Sequence, residues 1–169
     1  PKDMKVDYID NSIDKITEQA VQQSSTKLIP VESVLIVVRG MILLHSVPVA
    51  LTTAPVTVNQ DMKALIPNKS LSGEYLLYLL KGFRDLILDL VDSSALDTKW
   101  LRTELFECMD IAFTPLEEQL QLVKILKNKL ATIDTLIDKC ESMTALLRER
   151  RTVIVSAAVT GKIDVRNAT

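Results

Sequence analysis

A chain of 169 residues has room for one compact domain and one long element, hardly for two ordinary domains. Its composition, 47% hydrophobic, 25% charged and 4% aromatic with 4 Gly and 6 Pro, excludes a disordered chain, a disulfide knot and collagen-like material. So little glycine also disfavours a sandwich or barrel built from many tight turns. The formal charge of −2 rules out a polybasic arm that grips nucleic acid by charge alone.

Two cysteines, Cys108 and Cys140, show neither CxxC spacing nor histidine neighbours, so two free thiols in a reducing cytoplasm are expected. The greasiest stretch, Val34 to Leu51, is interrupted by Arg39, Gly40, His45 and Pro48. No membrane span is expected from it, since a span needs about 18 uninterrupted apolar residues. The first residue is Pro1 and no basic-then-apolar leader follows, which reads as a start inside a longer polypeptide.

The chain changes grammar near Phe113. Residues 1–113 hold 11 Lys and Arg against 15 Asp and Glu, whereas residues 114–169 hold 9 against 7. In the first half, Thr17 is placed to cap a short helix reaching about Gln22. The β-branched run Val34–Val38 predicts a buried strand ended by Arg39-Gly40. Val47–Leu51, Pro55–Asn59 and Lys63–Pro67 predict three more strands, and Pro67-Asn68-Lys69 a turn. Ser72 opens a predicted helix from Gly73 to Leu90, whose Leu76, Leu77, Leu80, Phe83, Ile87 and Leu90 form one buried stripe. Asp92–Ala95 reads as a loop and Leu105–Phe113 as extended. These elements make a small α+β domain, residues 1–113, whose own beginning is expected to be missing.

The second region, residues 114–169, opens on Thr114-Pro115-Leu116-Glu117, which predicts a capping box with proline at the first helical position. Neither Gly nor Pro interrupts the chain from Leu116 to Thr160, and Gly161 makes a stop. A helix of 44 residues would be roughly 65 Å long at about 1.5 Å per residue. Val123, Leu126, Leu130, Ile133, Ile137, Cys140 and Leu147 recur along it at steps built from three and four, with Thr144 the polar exception. Each of these left exposed forfeits roughly 1.5–3 kcal/mol of burial, so a second helix is expected to cover the seam. Leu136, Met143 and Leu146 widen the stripe, and a helix folded back over its own domain is the alternative.

Catalytic chemistry finds little support. His45 stands alone, which precludes a multi-histidine metal site, and neither GxGxxG nor GxxxxGK[ST] occurs to cradle a phosphate. Asn59-Gln60-Asp61-Met62 is only superficially like an Asn-Pro-Pro-Tyr methylating signature, lacking its prolines and aromatic ring. Glu117 and Glu118 are explained by the helix N-terminus, where the dipole favours negative charge.

Three segments carry a resemblance. Thr114-Pro115-Leu116-Glu117-Glu118-Gln119, then Leu147-Arg148-Glu149-Arg150-Arg151, then Ala158-Val159-Thr160-Gly161-Lys162-Ile163-Asp164-Val165-Arg166 follow one another across about 50 residues. This ordered set resembles the conserved helical region of the specificity subunit of type I DNA restriction–modification systems. Upstream, Val34–Gly40 and Val58–Asp61 are similar to the middle of a target recognition domain of that family. Ala95-Leu96-Asp97-Thr98 departs from the Gly-Thr pair the family often has before the long helix.

The resemblance implies a non-catalytic, DNA-reading subunit. In that family two recognition domains lie at the ends of two antiparallel helices, and each reads one half of a split sequence. The helices set the gap and dock methyltransferase subunits, which bind S-adenosylmethionine and methylate adenine N6, and restriction subunits join that assembly. This chain itself would need no cofactor or metal. Its partners would be double-stranded DNA, those subunits, and a second helix from the full-length subunit or from a homodimer partner. A helical adaptor or dimerisation protein with no nucleic-acid role is the competing expectation. Candidate DNA contacts are Arg39 with the flexible Gly40 beside it, Lys63 and Lys69 flanking a turn, Lys99, Arg102, and the N-terminal Lys2 and Lys5. Asn59 and Gln60 have the donor–acceptor pair that matches adenine, though side chains at a strand end more often satisfy nearby backbone.

Overall fold

The computed structural model describes residues 1–93 and 98–162. Ser94 and Ala95 of the expected loop, Leu96 and Asp97 of the segment that departs from the family pattern, and Ile163–Arg166 of the C-terminal motif lie outside them.

A four-stranded sheet organises the first unit, Pro1–Val123. Strand β1 (Tyr8–Ile9) precedes helix α1 (Glu18–Gln23), which Thr17 caps by accepting the Ala20 N–H at 3.2 Å as its position predicted. Strands β2 (Val34–Val37), β3 (Val49–Thr52) and β4 (Met62–Leu65) complete the sheet in the order β1-β3-β2-β4. β2 is antiparallel to both neighbours, while β1 joins β3 in parallel. Every residue of β2 is buried, which explains its unbroken β-branched and leucine sequence: both faces are covered, so no alternation survives. At the far end of β3 the Thr52 hydroxyl accepts the Ser33 N–H at 3.0 Å and donates to the Pro30 carbonyl at 2.9 Å. This buried polar residue fastens the entry to β2 without leaving its own group unpaired.

The segment Pro55–Asn59 does not form the expected strand. It makes a single bridge, Val56 to Ile29, and then turns on Asn59, whose side-chain oxygen accepts the Asp61 N–H at 3.2 Å. A polar Asx turn wins there over β propensity.

Helix α2 (Gly73–Gly82), capped by Ser72, lays Leu76, Leu77 and Leu80 against the sheet. Gly73 starts it because a Cβ there would collide with the Glu32 carbonyl and the Leu51 side chain. The predicted single helix to Leu90 is instead broken at Phe83, and a short α3 (Arg84–Leu88) follows. Gly82 weakens the helix at that joint, and the Phe83 N–H still closes onto the Leu79 carbonyl at 3.0 Å. Ile87 on α3 remains buried, so the apolar stripe survives the break.

Two further expectations are corrected beyond this point. Asp92 and Ser93 belong not to a loop but to strand β5 (Val91–Ser93), paired with β6 (Lys99–Leu101). The stretch expected as extended begins with a helical turn, α4 (Thr103–Glu107), which buries Phe106. Its apolar residues Leu105, Phe106 and Met109 suit a short helical turn as well as a strand, a known ambiguity of brief apolar runs. Tyr8 donates to Glu74 at 2.6 Å, and burial first, then this bond, hold its phenol above its ordinary pKa.

The long helix α5 runs over Leu116–Val159, the 44 residues that the absence of Gly and Pro allowed. Its start differs in detail from the expected capping box. The Thr114 hydroxyl is buried without a hydrogen-bond partner among the described residues, and the Gln119 side chain instead binds the Thr114 carbonyl at 2.7 Å. The boundary between the two compact units, Pro1–Val123 and Lys124–Thr169, falls within this helix.

Candidate nucleic-acid interface

The N-terminal segment, the exit from β2 and the α2–α3 joint together line a cleft of about 860 Å³ in the first unit. At the exit of β2 the chain must turn away from the sheet, and Gly40 does so at φ 135°, in the region that favours glycine. Its N–H binds the Lys99 carbonyl at 3.0 Å, while Val38 and Arg39 both donate to the Asp61 carbonyl. The next four residues, Met41–Leu44, form a 3-10 turn anchored by the buried Leu43. Arg39 is thereby an exposed side chain on a backbone tied down on both sides, the arrangement a recognition residue needs.

Five cations line this cleft: Lys2, Lys5, Arg39, Lys81 and Arg84, against the carboxylates Asp7 and Asp61. Lys81 pairs with Asp7 at 2.6 Å, and Lys2 reaches Asp14 at 3.6 Å. Arg84 donates to the His45 carbonyl at 2.9 Å, bracing the end of the 3-10 turn. Among the described residues, Lys5 and Arg39 have no carboxylate within 4.0 Å. Charge that is acidic in sum over residues 1–113 is thus locally cationic here, and a local field is what an approaching polyanion meets first.

Four of the eight sequence-derived DNA candidates, Lys2, Lys5, Arg39 and Gly40, come together in this cleft. Lys99 is half-buried on β6, with its backbone against Gly40. The other three lie elsewhere. Lys63 forms an ion pair with Glu107 at 2.6 Å, and the Arg102 guanidinium faces the Leu90 and Asp89 carbonyls at 3.4 and 3.5 Å. Lys69 is exposed on the Asn68–Ser70 turn. Asn59 is committed to its own turn through Asp61. Lys81 and Arg84 were missed, although a signal existed: they stand four residues after the buried Leu77 and Leu80. A cation at that spacing sits at the edge of the buried stripe, beside the sheet, rather than on the open face of the helix.

The apolar seam of α5 is equally plain. Leu126, Leu130, Ile133, Ile137, Cys140 and Leu147 are all exposed, as are Leu136, Met143 and Leu146. Val123 departs from the expected pairing set: it is 5% exposed and belongs to the first unit, so the exposed seam starts at Leu126. Arg148, Glu149, Arg150 and Arg151 are solvated. Among the described residues no group of three or more His, Cys, Asp or Glu is placed to hold a metal ion. None of their helices is long and apolar enough to cross a membrane.

The family model for the type I restriction modification DNA specificity domain matches residues 2–141. Over 80 residues, 47% of the chain, the sequence is 50% identical to the EcoR124I/EcoR124II type I restriction enzyme specificity subunit of Escherichia coli, covering 20% of that protein. It is 27% identical over 154 residues, 88% of the chain, to the MjaIX type I restriction enzyme specificity subunit of Methanocaldococcus jannaschii, covering 33% of that subunit. The chain therefore spans between a fifth and a third of these relatives' length. With the match running from the N-terminal lysine of the cleft into the middle of the long helix, the chain belongs to the type I restriction modification DNA specificity domain family.

Proposed function

We propose that this chain reads one half of a split DNA sequence for a type I restriction–modification complex and performs no catalysis itself. The observation that carries this reading is the cleft walled by Lys2, Lys5, Arg39, Lys81 and Arg84 on an otherwise acidic unit. Family membership supports the same role. Arg39 is the base-reading residue, because a guanidinium matches the O6 and N7 acceptors of guanine in a two-pronged geometry. Lys2, Lys5 and Lys81 bind phosphates and set register. Arg84 stiffens the turn that presents Arg39.

In this reading the exposed seam of α5 is sealed by a second helix, from the rest of a full-length subunit or from a second copy. The paired helices space the recognition units and dock methyltransferase and restriction subunits. S-adenosylmethionine and the chemistry on adenine belong to the methyltransferase. An adaptor without a nucleic-acid role draws on the same seam, but leaves a cationic cleft on an acidic unit without a use.

The test is selection from a pool of random duplexes by the intact subunit with its methyltransferase partner. Selected duplexes should bind about a thousandfold or more tighter than scrambled ones at physiological salt. Equal binding of the two would rule out sequence recognition.

A further inference from the structure

Gln119 lies in the second turn of α5 and is 0% exposed. Burying a carboxamide is costly unless its polar atoms are paired, and here they are. Its oxygen accepts the Ser72 N–H at 2.9 Å, and its nitrogen donates to the Thr114 carbonyl at 2.7 Å and the Ser70 carbonyl at 3.0 Å. Both donors and one of two acceptor sites are thus in use. Ser72 is itself the cap of α2, so one side chain ties the start of α5 to the start of α2.

Gln119 and Val123 are the buried residues of α5, and they stand one turn apart on one face. Their contributions differ in kind. Val123 supplies non-directional adhesion, which tolerates rotation and sliding of the helix. Three hydrogen bonds of fixed geometry do not tolerate it. The Thr114 hydroxyl, buried and without a partner among the described residues, adds no such constraint.

We infer that Gln119 is a positioning residue: it clamps the first two turns of α5 to the Ser70–Ser72 turn and so sets how strictly one gap between DNA half-sites is required. This rests on the proposed DNA-reading role. The intact subunit, assembled with its methyltransferase subunits, is titrated with duplexes carrying the selected half-sites at the native gap and one base pair shorter or longer. The wild type should prefer the native gap by about tenfold or more. Gln119→Met should reduce that preference to about threefold or less, with native-gap affinity nearly kept. Ile36→Val, a mild core change in β2, should keep the wild-type preference and serves as the stability control.

Full retention of gap preference by Gln119→Met would overturn the inference while leaving sequence reading intact. Its loss in Ile36→Val as well would also overturn it, since general loosening would then suffice. No gap preference in the wild type would instead strike the DNA-reading proposal on which the inference stands. If Gln119→Met does not fold, Gln119→Asn gives the same comparison, because its shorter amide keeps a neutral polar group in the site but cannot reach all three partners.

Discussion

The first unit and the exposed stretch of α5 each carry an unmet demand, and the two demands differ in physics. Strands β2 and β3 hide their apolar residues, while beside them cations gather without enough countercharge, with Lys5 and Arg39 free of carboxylate partners among the described residues. Along residues 126–147 leucine and isoleucine lie open to water. A polyanion satisfies the first, through an interaction that salt screens. An apolar partner satisfies the second, through one that salt leaves largely intact. The two proposed interfaces can therefore be switched off independently by separate experiments.

The largest effect is expected on the helix. Leu130→Asp or Ile133→Asp puts a charge into a seam that the proposed helix pairing would desolvate, at a cost of several kcal/mol. Association through α5 should be abolished in sedimentation velocity, and an unchanged mass for both variants would remove the helix-pairing half of the account. Next comes Gly73→Ala, whose methyl group meets the Glu32 backbone. It should lower stability by about 3 kcal/mol, the upper end of overpacking costs, seen as a lower melting midpoint of the first unit with helix association preserved. Arg39→Ala should weaken binding to the selected duplex by about ten- to a hundredfold and relax preference at one base position. Lys5→Ala should cost only a few-fold, equally for all sequences, and reduce the slope of log affinity against log salt by about one. A base-selective loss from Lys5→Ala would exchange the roles given to these two residues.

What the sequence disclosed depended on how locally each feature is determined. The long helix was legible because periodicity, the Thr114-Pro115 start and the lack of Gly and Pro all act within a few residues. β2 was legible because burial on both faces leaves a continuous apolar run. By contrast β1 is two residues long and exists through its pairing with β3, more than 40 residues away in sequence. The β5–β6 pairing escaped notice because Asp92 and Ser93 are loop formers by propensity and are held as a strand by Trp100 and Lys99 opposite them. Three of the five cleft cations, Lys2, Lys5 and Arg39, were found by equally local signals, as charges just before the first element or just after β2. Lys81 and Arg84 required the docking of α2 on the sheet. Gln119, quoted only as part of a motif, gave no sign in the sequence of being buried, since that depends on the Ser70–Ser72 turn meeting it.

Amide hydrogen exchange on the intact subunit, with and without the selected duplex, tests the division of labour most directly. Bound DNA should slow exchange in residues 1–7 and 39–49, around the cleft, while leaving residues 124–159 as they were. Slowing confined to the helix, or none at the cleft, would contradict the assignment of DNA reading to Arg39 and its neighbours.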